Sequence, residues 1–166
     1  MSTADAGAPK LHWLVRLLAT GGYLGYAPLA PASVGSLGCA VLLWFLLPEI
    51  ALAGSPLAIA TLAVSVVAFV VLSMWVAGRA ERAFGHDSRK IVIDEFAGFL
   101  VAVAFLPKTL LVYALAFVLF RVLDVVKPFP ARRMESAGGG AGVVLDDVIV
   151  GVYTNVLIRV MLLVRG

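Results

Sequence analysis

Five acidic residues lie in three short motifs at the ends of apolar segments, although only ten of the 166 residues are Asp or Glu. They are Asp94 and Glu95, then Asp124, and finally Asp146 and Asp147. An ionisable side chain next to hydrocarbon is costly, so its position there predicts a function. Carboxylates with basic and glycine-rich neighbours favour a hard metal cation that handles an oxyanion such as phosphate.

The first acidic motif is IVIDEFAG at 91–98, in which Asp94 and Glu95 are adjacent. Consecutive helical residues point about 100° apart, so the two carboxylates could share one metal ion only at a helix end. We expect one of them to bind the metal while the other orients a neighbour or acts as a base. Acidic capping of a helix N-terminus explains this motif equally well when it is taken alone.

The second motif is FRVLDVVKPFP at 120–130, in which Arg121, Asp124 and Lys127 are spaced by three. This spacing places them on one helix face, and the following proline is expected to end the helix. A stabilising series of ion pairs is one explanation. A metal-binding carboxylate flanked by two phosphate-binding cations is favoured, because the cations converge where an anionic headgroup would lie.

The third motif is GGGAGVVLDDVIVG at 138–151. Glycines such as Gly139 and Gly140 let backbone N–H groups approach a phosphate closely, and here they precede a helix N-terminus. We expect Asp146 and Asp147 in the first turns of that helix. A flexible linker followed by capping acids is the alternative, but acidic pairs within a membrane rarely serve only as caps.

A fourth segment, APLAPASVGSLG at 27–38, is rich in proline and small residues and leads into an apolar stretch. Its hydroxyls, Ser33 and Ser36, could bind an anion together with nearby backbone amides. Serine at a helix start is more often simply a cap. This segment therefore adds little on its own.

The composition is that of a membrane protein. Hydrophobic residues make up 62% of the chain and charged residues only 14%, whereas a soluble chain carries roughly 25% charged residues. A buried subunit of a large complex is the runner-up. The net charge of +3 does not indicate nucleic acid binding, because no basic stretch is interleaved with aromatic residues. We predict a disordered segment at 1–9 and one domain at 10–166.

The apolar periodicity predicts an all-α fold, a polytopic integral membrane bundle in which some helices are too short to span the bilayer. An amphipathic helix at the membrane surface is expected first, and a loop follows at 21–36. The two short apolar runs around Pro107 predict either a hairpin or one kinked helix. The apolar segments are 34–47, 56–78, 96–106, 110–120 and 143–164.

The positive charges predict the orientation of the bundle. The loops at 79–90 and 121–142 each hold four Lys or Arg residues, and such loops usually lie in the cytoplasm. The N-terminus and the three acidic motifs would then lie near the same cytoplasmic interface. The active-site loops are accordingly expected to face the cytoplasm.

Four stretches carry a resemblance to a known family. They are GYLGYAPLAPASVGSLG, GHDSRKIVIDEFAG, FRVLDVVKPFP and GGGAGVVLDDVIVGV, in this order from Gly22 to about Tyr153. Together they resemble the phosphatidylglycerophosphatase A family. One stretch departs from the family's usual A-P-G-T-x-G-S, because Ala32 replaces the glycine and Ser33 the threonine.

The resemblance implies a bacterial inner-membrane enzyme of phospholipid biosynthesis. It would hydrolyse phosphatidylglycerophosphate, a lipid of the surrounding bilayer, to phosphatidylglycerol and phosphate with Mg²⁺. Activity on other phosphomonoester lipids such as phosphatidic acid, and assembly into a homo-oligomer, stay open. A small divalent-cation transporter is the rival, but the acids cluster at one interface rather than along a path through the bilayer.

The mechanistic hypothesis assigns a role to each motif. The metal ligands are expected to be Asp94, Asp124, Asp146 and Asp147, around one or two Mg²⁺ ions. Arg121 and Lys127 would bind the phosphoryl oxygens, and Glu95 is the candidate general base for an attacking water. A covalent aspartyl-phosphate on Asp94 or Asp146 is the competing mechanism.

Overall fold

The fold is a computed structural model, and its described residues form seven α-helices and one short 3₁₀ helix. It describes residues 11–46, 55–85, 88–135 and 138–165, so the predicted disordered segment at 1–9 lies outside the described residues. The elements are α1 (Trp13–Ala19), the 3₁₀ helix (Leu24–Tyr26), α2 (Pro31–Leu46), α3 (Pro56–Phe84), α4 (Ile93–Val103), α5 (Leu110–Val126), α6 (Ala131–Glu135) and α7 (Gly139–Arg165). The described parts of the chain contain no β-strand, which confirms the all-α prediction.

Two helices, α3 and α7, are long and apolar enough to cross a membrane. The N-terminal two thirds of α3 turn their hydrocarbon side chains outward; Val64, for example, is 68% exposed and Val67 63% exposed. A contiguous apolar surface of this size would be unfavourable in water and is favourable against lipid. The prediction of an all-α membrane protein is confirmed, and α2 adds a shorter apolar helix.

The two short apolar runs around Pro107 form separate helices, α4 and α5. Residues 104–109 between them are not helical, and the Thr109 side chain caps α5 by accepting a hydrogen bond from the Val112 amide at 3.2 Å. Glu95 in the first turn of α4 pairs with Arg121 in the second half of α5. The helices are therefore antiparallel, which decides between the two predicted arrangements in favour of the hairpin.

Two predicted loops are largely helical, which corrects the sequence interpretation. The loop expected to reach residue 36 ends earlier, because α2 begins at Pro31, and proline is favourable in the first helical turn. The loop expected at 121–142 contains the end of α5, all of α6 and the beginning of α7. In both segments, packing against neighbouring helices outweighs the low helix propensity of the glycines that they contain.

Helix α4 lies at the centre of the bundle and contacts α2, α3, α5 and α7. Its approach to α7 is close because both helices carry glycine at the crossing. A Cβ atom on Gly98 would lie 2.6 Å from the Asp147 carbonyl oxygen, and one on Gly151 would collide with the Gly98 carbonyl oxygen. On its other side α4 packs Phe99 edge-on against Phe120, with ring centroids 5.9 Å apart. The first turn of α4 is thereby held against α7.

Asn155 of α7 compensates for the early end of α4. The last carbonyl groups of a helix lack partners within the helix, and the Asn155 Nδ2 lies 3.2, 3.0 and 2.8 Å from the carbonyl oxygens of Val101, Ala102 and Ala104. Its Oδ1 accepts a hydrogen bond from Arg159 Nε at 2.8 Å. A helix can therefore end inside the protein without leaving several polar groups unsatisfied.

Replacing this side chain should destabilise the fold. We expect Asn155→Leu to lower the free energy of unfolding by about 1–3 kcal/mol, because buried carbonyl groups lose their donor. The measurement is thermal or denaturant unfolding in detergent micelles. Thr154→Val is the matched control, because the Thr154 hydroxyl donates only to Val150 in its own helix. An equal loss in both variants would contradict this role of Asn155.

Candidate active site

The three acidic motifs meet at one cavity of about 450 Å³. Its innermost carboxylates are Glu95, Asp146 and Asp147, which are only 5–6% exposed. The other lining residues come from around the start of α2, from the segment before α4 and its first turn, from the end of α5 and from α7; they are Ala30, Pro31, Ala32, Ser88, Arg89, Ile91, Asp94, Asp124, Lys127 and Val143. Every predicted carboxylate therefore lines this cavity.

The adjacent acids of the first motif both reach the cavity because they stand in the first turn of α4. Asp94 Oδ1 accepts a hydrogen bond from the Glu95 amide at 3.0 Å, so Asp94 also serves the helix N-terminus. Asp94 and Glu95 thus stand where acidic residues favour a helix N-terminus, and both also line the cavity. The two carboxylates differ in their partners, because among the described residues Glu95 but not Asp94 is bonded to other helices.

Glu95 is held by partners from two neighbouring helices. Its Oε2 accepts hydrogen bonds from Ser36 Oγ on α2 and from Arg121 Nη1 on α5, both at 2.7 Å. Glu95 is only 6% exposed, and the positive charge of Arg121 stabilises its carboxylate. Because Glu95 also lines the cavity, it is placed to take a proton from a bound water, which a general base must do.

Arg121 stands behind the cavity and connects two of its acids. Besides Glu95, its Nη1 contacts Asp124 Oδ2 at 3.1 Å, which is the ion pair that the spacing of the second motif predicted. The guanidinium group does not itself line the cavity. Its observed contacts therefore fix the positions of the carboxylates.

Lys127 has a different position, at the end of α5, and lines the cavity directly. It adopts a left-handed backbone conformation with φ of 46° immediately before Pro128. This conformation ends the helix, as the proline predicted. Its Nζ lies 2.8 Å from Asp146 Oδ2, so an ammonium group and a carboxylate face the same space.

The cavity supplies carboxylate oxygens, the type of ligand that hard divalent cations take. Asp146 Oδ1 is buried and, within the described parts of the chain, has no hydrogen-bond partner, which leaves it available as a ligand. In those parts, no three or more His, Cys, Asp or Glu side chains are close enough together to hold a metal ion by themselves. Mg²⁺ commonly uses only one or two carboxylates and completes its octahedron with water and substrate phosphate. An open set of carboxylates suits that mode of binding.

The predicted serines and glycines lie outside the cavity lining. Ser36 is fully buried and bonds to Glu95, and Ser33 stands half-buried in the first turn of α2. Gly139 and Gly140 line a different cavity, between the start of α7 and the end of α3. A Cβ on Gly140 would collide with the Met74 carbonyl oxygen, so this glycine allows α7 to pack on α3. The structure thus brings neither glycine to the acidic cavity.

Sequence reasoning missed several residues that line the cavity, above all Arg89. This residue lies in the turn before α4, five positions before Asp94, and its side chain is exposed at the rim. The available signal was a basic residue shortly before an acidic motif. In a loop of mixed charges that signal is weak, because most such residues are simply solvated.

The fold and this cavity define an all-α membrane protein whose acidic site is suited to phosphoryl chemistry. A family model for phosphatidylglycerophosphatase A matches residues 17–162, nearly the whole chain. The chain belongs to the phosphatidylglycerophosphatase A family and is a phosphoric monoester hydrolase.

Individual relatives match most of the chain. A protein of Bacteroides thetaiotaomicron, provisionally named phosphatidylinositol-3-phosphatase, is 38% identical over 156 residues, which cover 90% of this chain and 94% of the relative. The phosphatidylglycerophosphatase A of Escherichia coli is 32% identical over 141 residues, which cover 83% of this chain and 77% of the relative. No solved structure matches the chain.

Proposed function

We propose that the protein removes the terminal phosphate of phosphatidylglycerophosphate and releases phosphatidylglycerol and inorganic phosphate, as a step of phospholipid biosynthesis. The observation that carries this proposal is the meeting of all three acidic motifs at one cavity in a chain of this family. The name of the Escherichia coli relative supports the substrate. The provisional name of the Bacteroides thetaiotaomicron relative makes phosphatidylinositol 3-phosphate the second candidate.

The proposed cofactor is Mg²⁺, which would be held by Asp94, Asp124, Asp146 and Asp147 around the cavity. When bound, it would neutralise the phosphate and lower the pKa of a water molecule. The orphaned Asp146 Oδ1 and the excess of carboxylates over cations support this assignment. Uncompensated negative charge would otherwise repel a phosphate.

The remaining chemistry is assigned to three side chains. Lys127 lies on the cavity wall and binds a phosphoryl oxygen there. The hydrogen bond is charge-assisted and is therefore stronger than a neutral one. Glu95 takes the proton of the attacking water as general base. Arg121 keeps the Glu95 carboxylate in position through the 2.7 Å contact, and this assignment replaces the direct phosphate contact expected from the sequence.

The proposed location is the bacterial inner membrane with the cavity open to the cytoplasm. Arg79 and Arg82 at the end of α3 and Arg89 in the following turn lie on the same side of the bundle as the cavity rim. Basic residues at the ends of membrane helices favour the cytoplasmic side. A lipid made in the cytoplasmic leaflet would then meet the site directly.

The deciding experiment is phosphate release by the purified protein in detergent micelles. We expect release from phosphatidylglycerophosphate to exceed release from phosphatidylinositol 3-phosphate and from phosphatidic acid, and EDTA to lower it by at least about 10²-fold in the absence of added Mg²⁺. Restoration by Mg²⁺ is the control for EDTA damage. Undiminished release in EDTA would contradict the metal. No release from any of these lipids would contradict the proposed substrate.

The order of bond formation needs a separate test. Water attack in line with the leaving group leaves no covalent intermediate, whereas attack by Asp94 or Asp146 forms an aspartyl-phosphate. Rapid acid quenching with ³²P-labelled substrate distinguishes the two. A labelled phosphoenzyme would contradict direct attack by water.

A further inference from the structure

Arg89 is a cation at the rim of the acidic cavity, and no described residue forms an ion pair with it. The two cations deeper in the site, Arg121 and Lys127, are paired with Glu95 and Asp146. Arg89 is exposed and lines the same cavity. Among the described residues, no hydrogen bond or ion pair engages its guanidinium group. It is therefore available to an anionic ligand that reaches from the floor of the cavity to its rim.

The backbone that carries Arg89 is firmly placed. The Ile91 amide donates to the Ser88 carbonyl at 2.9 Å and closes the turn, and the Val92 amide donates to the Ala19 carbonyl of α1 at 2.9 Å. These bonds fix the turn on both sides of Arg89. The backbone of Arg89 thus has a fixed position at the cavity rim, so a ligand that binds the guanidinium group has to order only the side chain.

The neighbouring Lys90 has the same charge but a different environment. Its Nζ lies 5.6 Å from the ring centroid of Phe84 and 5.7 Å from that of Tyr26. It does not line the cavity. Two consecutive basic residues are thus divided, with Lys90 over aromatic rings and Arg89 beside the acids. If the loop only attracted anions in general, Arg89 and Lys90 would not need to lie in different environments.

The lipid substrates considered above carry two phosphates of different kinds. Phosphatidylglycerophosphate and phosphatidylinositol 3-phosphate each have a terminal phosphomonoester and, closer to the diacylglycerol, a phosphodiester. Phosphatidic acid has the monoester alone. A cavity of about 450 Å³ is within the size range that holds a small ligand or headgroup. With the monoester among the carboxylates on the floor, the phosphodiester lies towards the rim.

We propose that Arg89 binds the phosphodiester of the lipid substrate and selects lipids with two phosphates over lipids that carry only a phosphomonoester. This inference rests on the proposed function. The planar guanidinium group suits a phosphodiester, whose two free oxygens accept a pair of parallel hydrogen bonds. Arg89 is on this account a specificity-determining residue, and the reacting phosphate stays with the acidic residues.

The test compares Arg89→Gln with Lys90→Gln, which removes an equal charge from the adjacent position. Kinetics are measured in mixed micelles with phosphatidylglycerophosphate, and inhibition is measured with phosphatidylglycerol and with inorganic phosphate. We expect Arg89→Gln to raise KM and the inhibition constant of phosphatidylglycerol about tenfold, the effect of losing one charge-assisted hydrogen-bonded contact. The kcat and the inhibition constant of inorganic phosphate should change less than about twofold, because the lost contact contributes equally in ground and transition states.

The outcomes separate this inference from the function on which it rests. Lys90→Gln should behave like wild type, and Arg89→Lys should recover part of the affinity. Equal effects in Arg89→Gln and Lys90→Gln would reveal only surface attraction and would overturn the inference. An active wild type with an unchanged KM in Arg89→Gln would overturn it alone, whereas a wild type without phosphatase activity would overturn both.

Discussion

Asp147→Asn is expected to lower phosphate release by at least about 10³-fold, while the variant remains folded. Asp147 is 5% exposed and lines the floor of the cavity. Asparagine keeps the shape of the side chain but removes the charge that would hold a divalent cation. The measurement is kcat for phosphatidylglycerophosphate in micelles at saturating Mg²⁺.

The same variant should be slightly more stable than wild type. Five carboxylates line the cavity. Burying one negative charge beside several others is unfavourable. Removing that charge should raise the unfolding temperature by about 2–4 °C for a gain near 1 kcal/mol. Glu81→Gln is the control for neutralising an acid elsewhere, because Glu81 lies on α3 beside the other cavity. Near wild-type turnover in Asp147→Asn would refute the assigned role.

Gly98→Ala should have the second largest effect, although it adds a single methyl group. Its Cβ would lie 2.6 Å from the Asp147 carbonyl oxygen and 2.8 Å from a ring carbon of Phe120. Backbone atoms cannot move aside cheaply, so α4 and α7 must separate by a fraction of an ångström. We expect a loss of about 1–3 kcal/mol in the free energy of unfolding. Activity should fall about 10²-fold, because the acids on the two helices lose their mutual geometry.

Gly38→Ala in α2 provides a matched comparison for this effect. There the added methyl group would meet only the end of the Leu24 side chain, which can change its rotamer. Unfolding temperature and kcat are measured for both variants in the same detergent. Similar losses in the two variants would mean that glycine is needed for general helix packing rather than for the crossing at the active site.

The parts of the fold that sequence could predict are those controlled by long apolar runs and by charge. The run at 56–78 lies within α3 as expected. The three acidic motifs lie together because each stands near the end of an apolar segment. Such patterns depend on the properties of the segment itself, namely its length, its hydropathy and the cost of placing a carboxylate in hydrocarbon.

The parts that sequence could not predict depend on which helices become neighbours. Gly140 packs against α3 rather than facing the acidic cavity, and a glycine near a helix start suits either arrangement. Ser36 was predicted to bind an anion, whereas its observed bond is to Glu95, 59 positions along the chain. Arg121 was expected to contact phosphate, whereas its observed partners are carboxylates from two helices. Pairings of this kind become visible only when the tertiary structure is known.

The length of α4 has a consequence for the direction from which the substrate arrives. Eleven residues rise only about 16 Å, roughly half the thickness of the bilayer's hydrocarbon core. Because Asn155 satisfies the far end of this helix inside the protein, α4 can begin at one face of the membrane without reaching the other. On the proposed function, the carboxylates in its first turn would serve a single leaflet, and a lipid in the opposite leaflet would have to be flipped across the bilayer before hydrolysis.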